Sequence, residues 1–259
     1  MEELFSTTLW DAVHKKPEST FIIRDLICNN NNLIVSESDE FRTRFILQMV
    51  IDMMNPNCNS FLEKFNIDKR QGRYSILYIN TDNAIKDIAS ILRDLIYGLD
   101  NQLVIEILNN IHFIDCYDRF CQNLSESNFY NLVQGVIENE NPDLIVIDSF
   151  YGLSKYYKNQ ASYIEAMNAL SKITFVAKEF GKTIILTNNI NIRKADLEDA
   201  LRSSVTFTNW SDNIIWLKKV DNENCTLKKI KSGIDFLSDN SETALKFDGK
   251  RLSVSGYYK

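Results

Sequence analysis

Glycine and proline are scarce: 8 and 3 residues in a chain of 259. So little of either leaves hardly any room for a flexible linker, and one domain is expected across the whole length. Histidine occurs only at 14 and 112, and the five cysteines at 28, 58, 116, 121 and 225 form no C-x-x-C pair. Zinc ligand spacing is therefore missing, and the thiols read as reduced core or surface groups. Histidine-based nucleophilic catalysis is disfavoured by the same scarcity and by the lack of a G-x-S-x-G elbow. No apolar run approaches the roughly 20 residues that a membrane helix needs. The opening MEELFSTTLWDAVHKK is acidic first and has no continuous apolar block such as a secretory leader carries. An intracellular, soluble protein is expected.

What is present is an ordinary globular composition, 44% hydrophobic and 25% charged, enough at this length for a large core. Charge is uneven. Residues 1 to 180 hold 16 Lys or Arg against 25 Asp or Glu, and residues 181 to 259 hold 13 against 10, so the net −6 divides into −9 and +3. Phosphate contacts supply most non-specific affinity for nucleic acid, so this acidity speaks against strong DNA binding by the chain alone. Any such contact is expected from the last third. The run Asn29 to Asn32 reads as a turn with some compositional bias.

Gly181-Lys182-Thr183 imitates the end of a phosphate-binding Walker A loop, but the glycine required five positions earlier is replaced by Val176. The local order is also reversed. Ile164, Met167, Leu170, Ile173, Val176, Ala177 and Phe180 recur at helical spacing before the glycine, with Ser162 and Glu165 as a capping box. Gly181 then reads as a helix C-terminal glycine, followed by the buried strand TIILT.

Between about 20 and 190, short β-like runs alternate with amphipathic helical segments. The strand candidates are FIIRDLI, NLIVS ending at Ser36, YSILYI, IHFID, LIVID ending at Asp148, and TIILT; the helical segments are 41 to 54, 83 to 99, 125 to 139 and 162 to 180. After a polar stretch come NIIWLKKV, CTLKKIK, TALKF and RLSVSG with turn residues between them. The expected fold is α/β: a mostly parallel central sheet flanked by helices over 20 to 190, then a loop and an antiparallel meander over 191 to 259. An N-terminal helical segment is expected over 1 to 19. Ligands of open α/β sheets bind beyond the carboxyl ends of the strands, which is where chemistry is sought.

The first strand-to-helix turn, LIVSESDEFRTRFILQM, fits the Walker A frame with altered contents. Ser36 and Phe41 stand for the two glycines, Arg42 for Lys, and Thr43 for the last Ser/Thr. Phe41 carries the bulk that glycine avoids where backbone must wrap a phosphate. Glu37, Asp39 and Glu40 would surround a triphosphate with negative charge, offset within the loop by Arg42 alone. Asp148, at the end of an apolar run, stands where a Walker B carboxylate would meet Mg²⁺. This strand and the one ending at Ser36 are expected to lie side by side.

The stretches ILYINTDN, NPDLIVIDS and IILTNNI, in this order, resemble the RecA-type strand-exchange ATPases, and among them the eukaryotic recombinase paralogues. The resemblance covers roughly residues 20 to 255 and implies a RecA-like core. In that family a Glu activates water where Asp82 stands here, and a Gln reads the γ-phosphate where Asn189 stands; Thr187 and Asn188 match. In DALRSSVTFTNWSDNIIWLKK, Leu201 and Trp210 fit the family's segment, with Arg202 in place of a Gly.

With its Walker A turn degenerate, the resemblance implies a pseudo-ATPase paralogue without ATP or Mg²⁺ of its own, ATP being held by a partner subunit. The partners implied are a recombinase paralogue with an intact Walker A, the recombinase filament, and single-stranded DNA, weakly or through the complex. The setting is homologous recombination and DNA repair in the nucleus, or in the cytoplasm of a prokaryote. Lys155, Tyr156, Tyr157 and Lys158, with Arg193, Lys194 and Arg202, occupy the segments that carry the family's two DNA-binding loops. Phe5 and Leu9, on one helical face of the N-terminal segment, and Asp148 are candidates for a partner interface. An active ATPase of helicase or helicase-loader type and a scaffold without DNA contact are the alternatives.

Overall fold

The computed structural model describes residues 21–37, 39–69, 74–117, 126–155, 160–189, 205–232, 235–236 and 242–258. Nine strands make the path of the main sheet: β1 Asn31–Ser36, β2 Ile76–Asn80, β3 Ile111–Asp115, β4 Leu144–Asp148, β5 Thr183–Asn189, β6 Asn213–Lys219, β7 Asn224–Ser232, β8 Glu242–Phe247 and β9 Leu252–Tyr258. They lie in the order β9-β8-β7-β6-β1-β5-β4-β2-β3, and the short strand Asp235–Phe236 pairs with β7. From β6 to β3 all neighbours are parallel. From β6 outward to β9 they are antiparallel.

β1, β2 and β4 are buried along their whole length, as expected of parallel strands covered on both faces. Helices α1 Asp39–Met54, α2 Ile85–Ile96 and α3 Asn101–Asn109 precede α4 Glu126–Glu140, α5 Phe150–Lys155, α6 Gln160–Glu179 and α7 Val205–Trp210. One core layer packs Phe41, Phe45, Met49 and Leu95 against Tyr78, Val146 and Ile185. The other packs Phe129, Val133, Leu170 and Ile173 against Leu77, Ile147 and Leu186. Among the described residues no helix is long and apolar enough to cross a membrane.

Helix α1 has a polar stripe as well as an apolar one, and it ties the extension to the core. Arg44, Gln48 and Asp52 recur at i, i+4, i+8 and so share one helical face. Arg44 donates to the Lys250 carbonyl at 2.6 Å, and Gln48 exchanges hydrogen bonds with the Leu252 backbone at 2.7 and 2.8 Å. Asp52 pairs with Arg251, which also donates to the Leu95 carbonyl at 3.1 Å. Burial pushes the Asp52 carboxyl up, against the pull of Arg251.

The parallel core with its antiparallel extension follows the sequence reading, with corrections at particular elements. FIIRDLI is a small hairpin, Phe21–Ile23 against Ile27–Cys28, outside the main sheet. Asp25 turns it with a φ of 60°. β1 and β4 share the parallel sheet but are not side by side, because β5 lies between them. NIIWLKKV, read as meander, is the junction: β6 is parallel to β1 and antiparallel to β7.

The segment 83 to 99 is shorter than its pattern, and a separate helix, α3, follows it. α3 begins where the Asp100 carboxylate accepts from the Gln102 and Leu103 N–H groups. Of the stripe read over 162 to 180, Leu170, Ile173, Val176 and Ala177 are buried while Ile164 and Phe180 are exposed. α6 starts at Gln160, so Ser162 lies inside the helix and is not its cap. In the asparagine run only Asn29 and Asn30 form a bend; Asn31 and Asn32 are buried strand residues. The Asn32 amide donates to the Cys28, Asn30 and Ile184 carbonyls at 2.9 to 3.2 Å.

Gly181 has a φ of +65°, and the Lys182 N–H reaches back to the Ala177 carbonyl at 2.7 Å, which is the six-residue closure of a glycine-ended helix. The Gly-Lys-Thr tripeptide is thus a helix stop. Gly181→Ala is expected to cost about 1 kcal/mol in urea unfolding, from the left-handed backbone alone. Lys182→Ala is expected to change stability by less than about 0.5 kcal/mol, as for an ordinary surface position.

Candidate functional site

The carboxyl ends of β1, β2, β4 and β5 converge on the first turn of α1, and Arg42 is the residue they enclose. Its side chain is wholly buried. Nε contacts Asp148 Oδ1 at 3.2 Å, Nη2 contacts Asp82 Oδ2 at 3.3 Å, and Nη1 donates to Asn189 Oδ1. A planar guanidinium presents donors in three directions at once, which a lysine ammonium on the same turn could not match.

Asp148 is fully buried and its carboxylate is saturated. Oδ1 accepts from Arg42 Nε at 3.2 Å and from the Thr187 hydroxyl at 2.6 Å. Oδ2 accepts from the Thr43 hydroxyl at 2.9 Å and the Tyr78 hydroxyl at 2.7 Å. A carboxylate offers about four acceptor positions, and here protein donors hold four. Burial, and then the charge and hydrogen bond of Asp148, hold the Tyr78 phenol well above its usual pKa, so it stays a donor. Asn83 Nδ2 in turn donates to Thr43 Oγ1 at 3.1 Å.

A second set of bonds fixes the turn after β4. Ser149 Oγ donates to Asp82 Oδ2 at 3.0 Å, Thr81 Oγ1 donates to the Ser149 carbonyl at 2.6 Å, and the Ser149 N–H donates to Thr81 Oγ1 at 2.7 Å. Gly152 packs so closely that a Cβ there would collide with the Thr81 carbonyl oxygen and hydroxyl. On the outer side Asn80 Nδ2 reaches Asp115 Oδ1 at 2.8 Å.

Beside Thr43 opens a cleft of about 330 Å³ lined by Phe41, Thr43, Arg44, Asn83, Asp87, Ser90, Ile91 and Phe247. Phe41 is buried edge-on to Phe247 at a centroid distance of 6.4 Å. Its ring therefore belongs to the core and the cleft wall.

Mg²⁺ with a nucleoside triphosphate is the group this fold would suggest, and the residues present do not fit it. A metal at Asp148 would have to displace hydroxyl donors that have no other described acceptor. A phosphate at the α1 turn would have to draw Arg42 away from two carboxylates. Among the described residues no group of three metal-ligating side chains gathers elsewhere.

Of the residues expected at a degenerate nucleotide site, Phe41, Arg42, Thr43, Asp82, Asp148 and Asn189 come together here, with Ser36 buried at the end of β1. Arg42 does not offset Glu37, which is exposed, but turns inward to Asp82 and Asp148. Asp148 was also expected at a partner interface; being wholly buried, it offers no surface. Tyr78, Asn83, Thr81 and Ser149 were missed, although Tyr78 is a polar ring inside an apolar strand run and could have been asked for a partner. Lys155 ends α5, and its side chain lies outside the described set. Phe5, Leu9, Tyr156, Tyr157, Lys158, Arg193, Lys194, Leu201 and Arg202 lie outside the described residues.

No protein-family model matches this chain, and no curated protein matches it. Among solved structures it is similar to a KaiC-like protein from the hyperthermophilic archaeon Pyrococcus horikoshii, with a TM-score of 0.63 and 13% identity over 93% of this chain and 99% of that one. The likeness shows a shared RecA/KaiC-type fold, and at this identity nothing finer.

Arg42→Ala leaves two buried carboxylates without their cation and is expected to cost about 3–5 kcal/mol. Arg42→Lys is expected to recover part of that in chemical denaturation, because it restores charge but not the three-way fork. Since the Tyr78 phenol is raised in the folded state, its contribution is present below the free phenol's pKa of about 10 and is lost as pH rises above it. Stability should therefore fall above about pH 10, and Tyr78→Phe should flatten that part of the alkaline unfolding profile.

Proposed function

We propose that this chain is a non-catalytic recombinase paralogue. It is a RecA-like subunit that has given up nucleotide chemistry and acts in a complex that assembles or stabilises recombinase filaments on single-stranded DNA, in homologous recombination and DNA repair. The observation that carries the reading is the saturation of Asp148 by Arg42, Thr43, Tyr78 and Thr187. A carboxylate so engaged neither binds a metal nor orients water. The shared fold with a KaiC-like protein supports the RecA-type body.

In this reading the partner is a paralogue with an intact Walker A loop, which supplies ATP and Mg²⁺, and the setting is the nucleus of a eukaryotic cell. The net charge of −6 fits a subunit that meets DNA weakly or through its complex. A second reading, an active ATPase of helicase or helicase-loader type, has one observation in its favour: the cleft between Phe41 and Phe247 reaches Thr43.

Thermal melting with Mg²⁺–ATP decides between them. A ligand held by the folded state at a hundred times its Kd would raise Tm by about 5 °C or more. The non-catalytic reading expects no shift and no phosphate release from the purified chain. A shift of that size with turnover that Asp148→Asn abolishes would establish the ATPase.

A further inference from the structure

In the lining of the cleft beside Thr43, hydrogen-bond donors are spent inside the chain and acceptors are left over. Thr43 gives its hydroxyl proton to Asp148 at 2.9 Å. Asn83 gives Nδ2 to Thr43 at 3.1 Å, and its backbone carbonyl is taken by Asn80 Nδ2 at 2.7 Å. Arg44 gives Nη1 to the Lys250 carbonyl at 2.6 Å and Nη2 to Asp94 at 3.1 Å, so its charge is balanced where it stands. The polar groups that remain in the lining are the Asn83 side-chain oxygen, the Asp87 carboxylate and the Ser90 hydroxyl. Among the described residues the side chains of Asp87 and Ser90 have no partner. A carboxylate and an amide oxygen can only accept, and a hydroxyl oxygen can accept as well.

Phe41, Ile91 and Phe247 make the apolar part of the wall. Phe41 is buried, whereas Ile91 and Phe247 are half-buried and line the cleft with apolar surface. Arg44 and Asp87 are the two charged residues of the lining, and with Arg44 paired to Asp94 it is Asp87 that lacks a counterion. A phosphate or carboxylate entering here would face a carboxylate and lone pairs. A cation that carries several N–H groups supplies what the lining is missing, and hydrogen bonds to a charged partner are the stronger kind.

We propose that the cleft receives an arginine side chain of a partner protein. The guanidinium donates to the Asp87 carboxylate and to the oxygens of Asn83 and Ser90, and the methylene stem lies along Ile91 and Phe247. Arginine suits the lining better than lysine, because its planar fork reaches acceptors at separate points while an ammonium is a compact, strongly hydrated charge. A metal ion does not suit it, since among the described residues no three ligating side chains gather here. The volume of about 330 Å³ lies at the small end of the range of about 300 to 1,000 Å³ for ligand sites, which fits one long side chain. The inference rests on the reading of this chain as an assembling subunit, for which it supplies a partner contact, but its test involves no ATP and can fail independently of the melting measurement.

The test is an NMR titration of the nitrogen-15-labelled full chain, read from the amide shifts of Asn83 to Ile91. The probes are N-acetyl-arginine amide, its citrulline counterpart, which keeps the shape without the charge, its lysine counterpart, and adenosine. Saturable binding of the arginine probe is expected, with a Kd on the order of 1 to 10 mM for one side chain removed from its protein. The citrulline probe should bind at least about tenfold more weakly, the worth of one charged hydrogen bond, and the lysine probe about threefold more weakly. Asp87→Asn should weaken the arginine probe about tenfold at nearly unchanged Tm. Ser90→Trp, at an exposed position, should fill the cleft and abolish binding; if that variant melts lower, Asp87→Asn carries the test. The proposal is overturned if the arginine probe does not saturate, if citrulline or lysine binds as well, or if Asp87→Asn binds like wild type. Tighter binding of adenosine, lost in Ser90→Trp, overturns it too, because it would make the cleft a nucleoside site.

Discussion

A guanidinium enclosed by two carboxylates is the constraint on which the rest of this structure depends. Arg42 sits at the one point where four parallel strand ends meet the first turn of α1, and it is bonded to three of the segments that end there, at Asp82, Asp148 and Asn189. Buried charges are tolerated only when paired and fully hydrogen-bonded. The hydroxyls of Thr43, Tyr78 and Thr187 complete that condition for Asp148. Here one side chain of the same chain meets both carboxylates.

The same constraint orders the elements around it. Phe41 and Thr43 flank Arg42 on the helix, so once the guanidinium is fixed Phe41 enters the core against Phe247 and Thr43 faces Asp148. Further along α1, Arg44, Gln48 and Asp52 hold the turn between β8 and β9. One helix thereby couples the strand ends to the antiparallel extension.

Much of the fold was legible because apolar period and run length respond to local burial. LIVID and TIILT could only be covered strands, and Gly181 could only end a helix once Val176 ruled out the phosphate loop. The frame of the site was legible as well, since Arg42, Asp82, Asp148 and Asn189 could be aligned in order. Its meaning was not. The sequence reading set Arg42 against the acidic loop residues, because neighbours in sequence are all that a sequence shows; three partners that the structure gives it lie 40, 106 and 147 positions away. Tyr78 was hidden for the same reason, looking like one more strand residue, and Thr187 was matched at its strand end without its bond to Asp148. The order of β1, β5 and β4 depends on pairing across the sheet, which no strand pattern encodes. α3 was lost because its single turn of apolar contact, centred on the buried Ile107, is too short for a periodic signal.

The central claim is that Arg42 and Asp148 belong to each other. The most direct measurement is a double-mutant cycle in chemical denaturation with Arg42→Met, Asp148→Asn and the pair together. Partners in one buried network should be coupled by at least about 2 kcal/mol, so that the double variant is far less destabilised than the two single losses added together. Losses that simply add, to within about 0.5 kcal/mol, would mean that the two groups act independently and would contradict the account.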